Sequence, residues 1–328
     1  MRLPRDNSLP LRQTLHAQPM PTVIELFLQV VDASPDAVAI CSDKEKYTYR
    51  DLECWTRDIA VHLRSCGIKS GDVVGIVGTG SKSVAAFLGA LRSGCVVLPL
   101  DPSTSEGKQK ELLQIAEATA KITSIDKKNL DIEFIDATAG KSTLNYYPGQ
   151  SEEIENNISG IDTAQGKDPA YIIFTSGSTG SPKGILGLHM GLSHFTIWQR
   201  DTFGIGLGDR VGQLANWSFE VLLREIFTPL ISGATVCLPD DQVLNAENVF
   251  RFSRRHHLTV LHVVPSLVRH WLGRKNIDHR IPTTRITFFA GEPLHSELIT
   301  SWRSKVAAST IVNLYGPTET TLAKFHYV

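Results

Sequence analysis

The stretch YIIFTSGSTGSPKG, from Tyr171 to Gly184, decides how this chain folds. It begins as an apolar, β-branched run of the kind that is buried in a parallel sheet. It then passes directly into ten residues made only of Thr, Ser, Gly, Pro and Lys. Glycines allow backbone N–H groups to converge on an anion, hydroxyl groups add donors, and Lys183 adds a positive charge. The stretch therefore predicts a buried strand that ends in a phosphate-binding loop. The alternative interpretation is a flexible surface loop.

Similar apolar runs recur along the chain and alternate with helical patterns. The helical pattern after Thr48 is an example, because Thr48 is a good N-cap and Gly67 supplies the stop. This alternation predicts an α/β fold whose strands form a parallel sheet. The predicted strands are Val73–Gly78, Cys95–Leu100, Asp131–Ile135, Tyr171–Thr175, Ala234–Leu238, Thr259–Val264, Arg285–Phe289 and Thr310–Leu314.

Length and local composition predict two lobes. The chain has 328 residues, and a domain usually takes roughly 100 to 200. The stretch between Ile135 and Asp168 is polar and irregular, so we expect the lobe boundary there. The predicted division is a loose N-terminal arm over residues 1–20, a first α/β lobe over 21–168, and a second α/β lobe over 169–328 that carries the nucleotide and substrate site.

Charge and composition argue against several classes of partner. The chain has 33 Lys and Arg against 34 Asp and Glu, so no net field attracts nucleic acid or an anionic membrane. No stretch reaches the roughly 18 apolar residues of a membrane span, and the N-terminus lacks a signal-peptide pattern. We expect a cytoplasmic protein. The five cysteines fit reduced structural thiols, and His256, His257 and His262 have no acidic or cysteine partner at zinc spacing.

A second loop, NLYGPTETT from Asn313 to Thr321, follows another β-branched run. Tyr315 can offer its ring face to a nucleobase, and Asn313 can offer an amide to the base edge. Thr318 can donate its hydroxyl to a phosphate, and Glu319 can offer a carboxylate to Mg²⁺. The alternative is a Gly-Pro turn capped by Thr318. Two such loops at strand ends of one α/β protein favour a nucleotide site.

TSGSTGSPKG and NLYGPTET together resemble motifs of the adenylate-forming enzymes, which include acyl-CoA synthetases, luciferases and the adenylation domains of nonribosomal peptide synthetases. The peptide-synthetase domains are the most similar branch. The resemblance extends over residues 22–328 and includes further stretches in the same order. These are ELFLQVVDASPDAVAI (Glu25–Ile40), YTYRDLE (Tyr47–Glu53), LGALRSGCVVLPLDP (Leu88–Pro102) and SFEVLLREIFTPLISGA (Ser218–Ala234).

The resemblance implies that ATP activates a carboxylic or amino acid to an acyl-AMP, which is then loaded onto the phosphopantetheine of a carrier-protein domain. It implies ATP and Mg²⁺ as cofactors, Thr318, Glu319 and Lys183 as catalytic residues, and Glu319 as the magnesium ligand. Nucleotide binding would fall to Asn313, Tyr315, Gly316 and the phosphate loop, which comprises Thr175, Ser176, Gly177, Ser178, Thr179 and Gly180.

The chain departs from the family pattern at its end. Members of the family continue into a barrel-like lobe with a ribose-binding Asp and then a C-terminal domain with a catalytic lysine, and neither follows Val328 here. We expect a truncated core whose partner is the missing C-terminal subdomain. Two alternatives stay open: a binding-only fragment without turnover, and an acyl-CoA ligase.

The substrate pocket departs from the pattern as well, because Glu220 stands where peptide-synthetase domains usually have an Asp that binds the substrate ammonium. Phe219 opens an apolar helical stripe, and Glu220 and Arg224 lie four residues apart on a neighbouring face. If they pair, the pocket suits an apolar acid without an amine. If they do not, Glu220 can hold an ammonium and Arg224 a second carboxylate, as in aminoadipate-activating members, which this spacing resembles. The residues matched to the pocket wall are Phe219, Glu220, Val221, Arg224, His262, Phe288, Ala290, Leu314, Leu322 and Ala323.

Overall fold

The computed structural model describes residues 20–124, 129–135, 141–145, 160–176, 181–240, 245–275, 277–306 and 309–328. Two predictions therefore lie outside the described residues: the loose arm, apart from Met20, and the part of the phosphate loop formed by Gly177, Ser178, Thr179 and Gly180. No helix in the described ranges has the length and apolar character needed to cross a membrane.

Helices and strands alternate along the described chain. In order they are α1 (Val23–Ala33), β1 (Val38–Cys41), β2 (Lys46–Thr48), α2 (Tyr49–Ser65), β3 (Val73–Val77), α3 (Gly80–Arg92), β4 (Val96–Leu100), α4 (Glu106–Ile115), β5 (Ala120–Ser124), β6 (Asn129–Phe134), β7 (Lys141–Asn145), β8 (Pro169–Ser176), β9 (Pro182–Leu188), α5 (His189–Phe203), β10 (Arg210–Gly212), α6 (Val221–Leu230), β11 (Thr235–Cys237), α7 (Ala246–Arg255), β12 (Val260–Val263), α8 (Pro265–Leu272), β13 (Ile286–Phe289), α9 (Ser296–Arg303), β14 (Thr310–Tyr315), a 3₁₀ turn (Thr318–Thr320) and β15 (Phe325–Tyr327).

The described strands form two sheets, and both have a parallel centre. One sheet has the order β7-β6-β5-β3-β4-β8-β9, and the other has the order β15-β14-β13-β12-β10-β11-β1-β2. Antiparallel strands occur only at the margins, where β6, β7 and β9 flank the first sheet and β2 and β15 flank the second. The α/β fold predicted from the alternating pattern is confirmed.

The division of strands between the sheets does not coincide with the predicted boundary at residue 168. Strand β8 lies beyond it but pairs in parallel with β4 of the first sheet, with Tyr171 opposite Val97. Strand β1 lies before it but pairs in parallel with β11 of the second sheet. Hydrogen bonding between buried strands, rather than the polar composition of the linking segment, decides which sheet each strand joins.

Helix α2 shows how local sequence fixes an element. Thr48 accepts a hydrogen bond from the Asp51 backbone N–H, and the Asp51 carboxylate accepts one from the Thr48 N–H, which together form a capping box. Gly67 follows the helix with a φ of +84°, a conformation that glycine adopts without strain. The start and stop predicted from Thr48 and Gly67 are thus confirmed.

Residues Pro182–Leu188, of which the first three were predicted to be loop, form strand β9. Strand β9 runs antiparallel to β8, with Thr175 opposite Lys183 and Phe174 opposite Gly184. The loop prediction was wrong there because Pro, Lys and Gly are poor strand formers but are tolerated at a sheet edge. This hairpin fixes where Lys183 leaves the sheet.

A buried layer of helices between the sheets positions the substrate-pocket segment. Helix α3 is buried along nearly its whole length, and Phe87 on it packs edge-to-face against Phe227 of α6, with ring centroids 5.2 Å apart. One apolar core includes residues of both sheets together with these two helices. Residue Glu220 lies immediately before α6, so the core holds this residue and Arg224 in place.

Candidate active site

The two predicted loops meet at the end of the β8–β9 hairpin. The Thr175 hydroxyl donates a hydrogen bond to the Lys183 carbonyl over 3.4 Å, which ties the two strands together. The Lys183 Nζ atom lies 3.8 Å from Glu319 Oε1, and both side chains are at least half exposed. An exposed ammonium and an exposed carboxylate therefore face the same space, where a phosphate and a cation could be held together.

The segment after β14 turns sharply because of Gly316. A Cβ atom on Gly316 would lie 2.7 Å from the Ala323 Cα and 2.9 Å from the Lys324 N, so only glycine allows β15 to return against β14 here. The turn leaves the Tyr315 ring 69% exposed, with Phe325 as its neighbour at 6.3 Å. An exposed ring at a strand end can stack on a nucleobase.

Glu220 joins helix α6 to the segment that follows the 3₁₀ turn. Its Oε1 atom accepts a hydrogen bond from the Leu322 backbone N–H over 2.8 Å. Burial raises the pKa of Glu220 to about 7, while the Leu322 N–H, Arg224 and the Thr318 hydroxyl act in the opposite direction. Glu220 thus titrates near neutrality and lies within reach of Thr318, a residue predicted from the second loop.

Arg224 is buried, and its Nε and Nη1 atoms have no hydrogen-bond partner among the described residues. Burial lowers its pKa from its usual high value to about 10, although Glu225 and Glu220 favour the charged form. Within the described ranges no ion pair joins Arg224 to Glu220, so the pairing that a helical spacing of four allows does not form. The reason is that Glu220 precedes α6 and its carboxylate is directed to Leu322.

His262 lies fully buried on β12 and stacks on Phe288 of β13, with ring centroids 5.0 Å apart. Its Nε2 atom lies 3.0 Å from Gln199 Nε2, and the Thr228 hydroxyl donates to Gln199 Oε1 over 2.7 Å. Burial, together with the nearby Arg224 charge, lowers the pKa of His262 well below its usual range. The structure therefore has a neutral imidazole at this predicted wall position.

Two polar residues near the pocket were not predicted from the sequence. Gln199 belongs to α5, 63 residues from His262, and no local pattern marks it. Glu225 is buried, and its Oε2 atom accepts hydrogen bonds from the Leu214 and Ala215 backbone N–H groups. Burial raises the pKa of Glu225 to about 8. Arg224 and Glu225 are two adjacent ionisable residues within the otherwise apolar run of α6, and this unusual pattern is the signal that could have identified Glu225.

The remaining predicted wall residues differ in their burial. Phe288, Leu314 and Leu322 are buried, whereas Val221, Ala290 and Ala323 are partly exposed. Phe219 is 62% exposed and lies before the first residue of α6. The prediction that Phe219 begins the buried stripe was therefore wrong, because the helix starts two residues after it. Asn313 is half-buried on β14, opposite Tyr327 of β15.

A cavity lies elsewhere on the described part of the molecule. Its volume is about 530 Å³, and it lies between α7 and the loops that follow β1, β3, β4, β10 and β11. None of the site residues predicted from the sequence lines it. The candidate site is therefore identified by the convergence of the two motif loops and α6.

One strand of this α/β chain is followed by a hydroxyl- and glycine-rich sequence, and another is followed by an exposed aromatic ring and a carboxylate. These features are typical of nucleotide-binding α/β proteins. Residues 27–327 match the model of the AMP-binding enzyme family. The chain belongs to that family.

The relatives found by sequence comparison are peptide synthetases. The chain is 28% identical over 299 residues to bacitracin synthase 3 of Bacillus licheniformis. This match covers 91% of this chain and 4% of that protein. It is 27% identical over 313 residues to tyrocidine synthase 1 of Brevibacillus parabrevis, covering 92% and 27% respectively. The chain thus spans a small part of the length of these relatives.

Solved structures share the fold. A nonribosomal peptide synthetase, FmoA3 bound to α-methyl-L-serine-AMP, matches with a TM-score of 0.80 and 25% identity, covering 95% of this chain and 34% of that one. The N-terminal subdomain of NpsA from Klebsiella oxytoca, in complex with 3-hydroxyanthranilyl-AMSN, matches with a TM-score of 0.78 and 23% identity, covering 93% and 75%. The architecture is therefore that of the N-terminal core of these adenylation domains.

Proposed function

We propose that this chain is the core of an enzyme that uses ATP to convert a carboxylic acid to an acyl-AMP, with release of pyrophosphate. The observation that supports the proposal is the meeting of Lys183 and Glu319 beside Thr318 and Glu220, since an ammonium, a hydroxyl and two carboxylates in one space could hold a phosphate chain and an acid together. Attack of the carboxylate on the α-phosphorus brings two anions together, so the site must neutralise charge and hold them in line. The match to the AMP-binding enzyme family supports this proposal.

Each predicted group has a role in this reaction. The Thr175–Gly180 segment and Lys183 would bind the phosphates, Tyr315 would stack on adenine, and Asn313 would meet the adenine edge. The exposed Glu319 carboxylate suits Mg²⁺, which prefers oxygen ligands and neutralises phosphate charge when bound. Thr318 would donate its hydroxyl to the α-phosphate.

The acyl group would pass to the phosphopantetheine thiol of a carrier-protein domain in the cytoplasm, and a C-terminal adenylation subdomain would supply the catalytic lysine. The peptide-synthetase relatives support this choice of acceptor over coenzyme A. Incubation of the acyl-AMP-forming protein with a carrier domain or with coenzyme A distinguishes the two. We expect a thioester on the carrier; a thioester on coenzyme A alone would favour an acyl-CoA ligase.

The primary test is ATP–pyrophosphate exchange by the longest natural protein that carries this chain, with a panel of carboxylic acids. We expect exchange that depends on one class of acid and falls by about 100-fold or more in Glu319→Ala, the magnitude typical of a group that stabilises transition-state charge. Glu297→Ala, at an exposed position on α9, is the matched control and should retain exchange. Binding of a non-hydrolysable ATP analogue without exchange for any acid would instead favour the binding-only alternative.

For the acid, we propose an amino acid with a second carboxylate, activated at the carboxylate away from the amine. Arg224 is buried, and two of its nitrogens have no hydrogen-bond partner among the described residues. A buried charge of this kind is costly unless a bound ligand supplies an opposite charge and hydrogen-bond acceptors. Glu220 could receive the ammonium and Arg224 the second carboxylate. An aminoadipate-like acid should then support faster exchange than either an α-amino acid with an apolar side chain or an amine-free branched acid. Preference for the amine-free acid, with Glu220→Gln active, would contradict this assignment.

A further inference from the structure

Three soft or basic ligand atoms come together on residues that are not part of the candidate active site. Cys41 ends β1 and Cys237 ends β11, and the two residues are directly paired in the parallel register. Their Sγ atoms lie 3.3 Å apart, and the Nδ1 atom of His256 lies 3.7 Å from the Cys41 Sγ. All three side chains are buried, and their ligand atoms lie within 4.8 Å of one another.

The second ring nitrogen of His256 is already engaged. Its Nε2 atom lies 2.7 Å from Asp43 Oδ1, and Arg255 Nη1 lies 2.7 Å from the other oxygen of the same carboxylate. When the Asp43 carboxylate accepts a hydrogen bond from Nε2–H, the Nδ1 atom carries a free lone pair, and this atom is the one that lies beside the Cys41 sulfur. Histidines that bind metals are typically oriented by a carboxylate in this way.

The Cys41–Cys237 and Cys41–His256 distances suit a tetrahedral metal ion, and the Cys237–His256 distance is no more than 4.8 Å. With Zn–S bonds of about 2.3 Å and Zn–N bonds of about 2.0 to 2.1 Å, two ligand sulfurs lie about 3.8 Å apart, and a sulfur and a nitrogen lie about 3.6 Å apart. The observed separations of 3.3 and 3.7 Å differ from these values by about half an ångström or less. We propose that Cys41, Cys237 and His256 bind a thiophilic divalent cation of the Zn²⁺ type.

Arg210 also contacts the cluster, so a metal ion would have to bind beside its guanidinium group. Its Nη2 atom donates to the Cys41 Sγ over 3.0 Å, and its Nε atom donates to the His256 carbonyl. A metal-bound thiolate retains lone pairs that can accept such a donor, and the donor offsets part of the thiolate charge. Arg210 thus connects the first thiol to the segment that carries the histidine.

The three ligands come from β1, β11 and the end of α7, so a bound ion would join three elements that are far apart in sequence. Three protein ligands leave one coordination position for water. Since the ion would bind the folded chain and not the unfolded one, it would also stabilise the fold. This site is independent of the proposed adenylation, because none of the adenylation residues belongs to it.

The test uses the 328-residue chain, purified with a reductant, freed of metal with a chelator and titrated with Co²⁺. We expect one equivalent to bind, with the thiolate-to-cobalt and tetrahedral absorption bands that Zn²⁺ then removes. Cys237→Ser and His256→Gln should lose these bands, and Asp43→Asn should weaken binding by about 10- to 100-fold. Cys95→Ser removes a buried thiol outside the cluster and is the matched control, with the bands retained.

Zn²⁺ should also raise the urea midpoint of the wild-type chain and of Cys95→Ser but not of Cys237→Ser. Circular dichroism shows whether each variant is folded before it is titrated. Absence of the cobalt bands in the reduced, folded chain would overturn the proposal, and so would unchanged bands in Cys237→Ser. A disulfide between Cys41 and Cys237, with no metal binding after its reduction, would assign the pair to redox chemistry and would also overturn the proposal.

Discussion

Replacement of Arg224 by methionine should stabilise the fold and, at the same time, remove the substrate class that we propose. Burial lowers the pKa of Arg224 to about 10, more than two pH units below its usual value. At about 1.4 kcal/mol per pKa unit, keeping this charge buried costs about 3 kcal/mol. The cost is present in full at neutral pH, where the guanidinium is charged in both the folded and the unfolded state, and it is relieved only as the pH rises from 10 towards 12.5.

The substitution should not leave a second buried charge behind. Burial raises the pKa of Glu225 to about 8, so this carboxyl group is mainly protonated at pH 7 without the help of Arg224. Methionine retains an unbranched apolar stem in the space that the arginine stem fills. We therefore expect urea unfolding of the 328-residue chain to show a free energy of unfolding about 2 to 3 kcal/mol higher in Arg224→Met.

The same variant of the longer natural protein should lose about 100-fold in kcat/KM for an amino-dicarboxylic acid in the exchange assay, the loss expected when one partner of a buried charge pair is removed. Arg303→Met, at an exposed position on α9, is the control and should change the free energy of unfolding by less than about 0.5 kcal/mol. A decrease of 1 kcal/mol or more in the stability of Arg224→Met would refute the reasoning, since it would show that the buried guanidinium is already compensated.

Three further predictions concern the loops, the pocket and the core. Thr318→Val should reduce ATP–pyrophosphate exchange by about 100-fold, and unchanged exchange would remove Thr318 from the site. Because the pKa of Glu220 is about 7, its ionised fraction rises from about 10% at pH 6 to about 90% at pH 8, so kcat/KM for an amine-bearing acid should rise about ninefold over this range. A Glu220→Gln variant that kept this rise would show that another group titrates. Tyr49→Phe should lower the free energy of unfolding by about 1 to 2 kcal/mol, because the buried Tyr49 hydroxyl donates to the Ala234 carbonyl over 2.7 Å. Urea denaturation should show no such loss for Tyr327→Phe, whose side chain is exposed.

The sequence predicted most of the central strands, because they are buried on both faces. Such strands appear as continuous apolar runs, as in Val73–Val77 and Ile286–Phe289, and no other part of a globular chain combines that length with β-branched residues as often. Strands at the margins carry no such mark. Strand β2 has only three residues, and β7 lies in a segment that its polar composition predicts to be irregular. Strand β10 lies inside the second sheet, but with three residues it is too short to form a recognisable apolar run.

The candidate site was predicted only in part, since motifs identify residues but not their partners. Glu220 and Thr318 were predicted, yet the hydrogen bond from Leu322 to Glu220 joins residues 102 positions apart. Contacts of this kind depend on how α6 packs between the sheets. The cysteine and histidine cluster was missed for the same reason. His256 does have cysteine and acidic neighbours, but Cys41 and Asp43 lie more than 200 positions away along the chain and no spacing rule relates them to it.

The pairing of β1 with β11 has a consequence for how the chain folds as it is synthesised. The strands of the first sheet all lie between residues 73 and 188, so that sheet can close soon after its last strand leaves the ribosome. Strand β1 is made earlier but pairs with a strand whose residues lie 196 positions later. At about 5 to 20 residues per second, the β1–β2 hairpin waits about 10 to 40 s for β11. Strands β1 and β2 are therefore translated first, but they join the second sheet only after the strands of the first sheet have all been made.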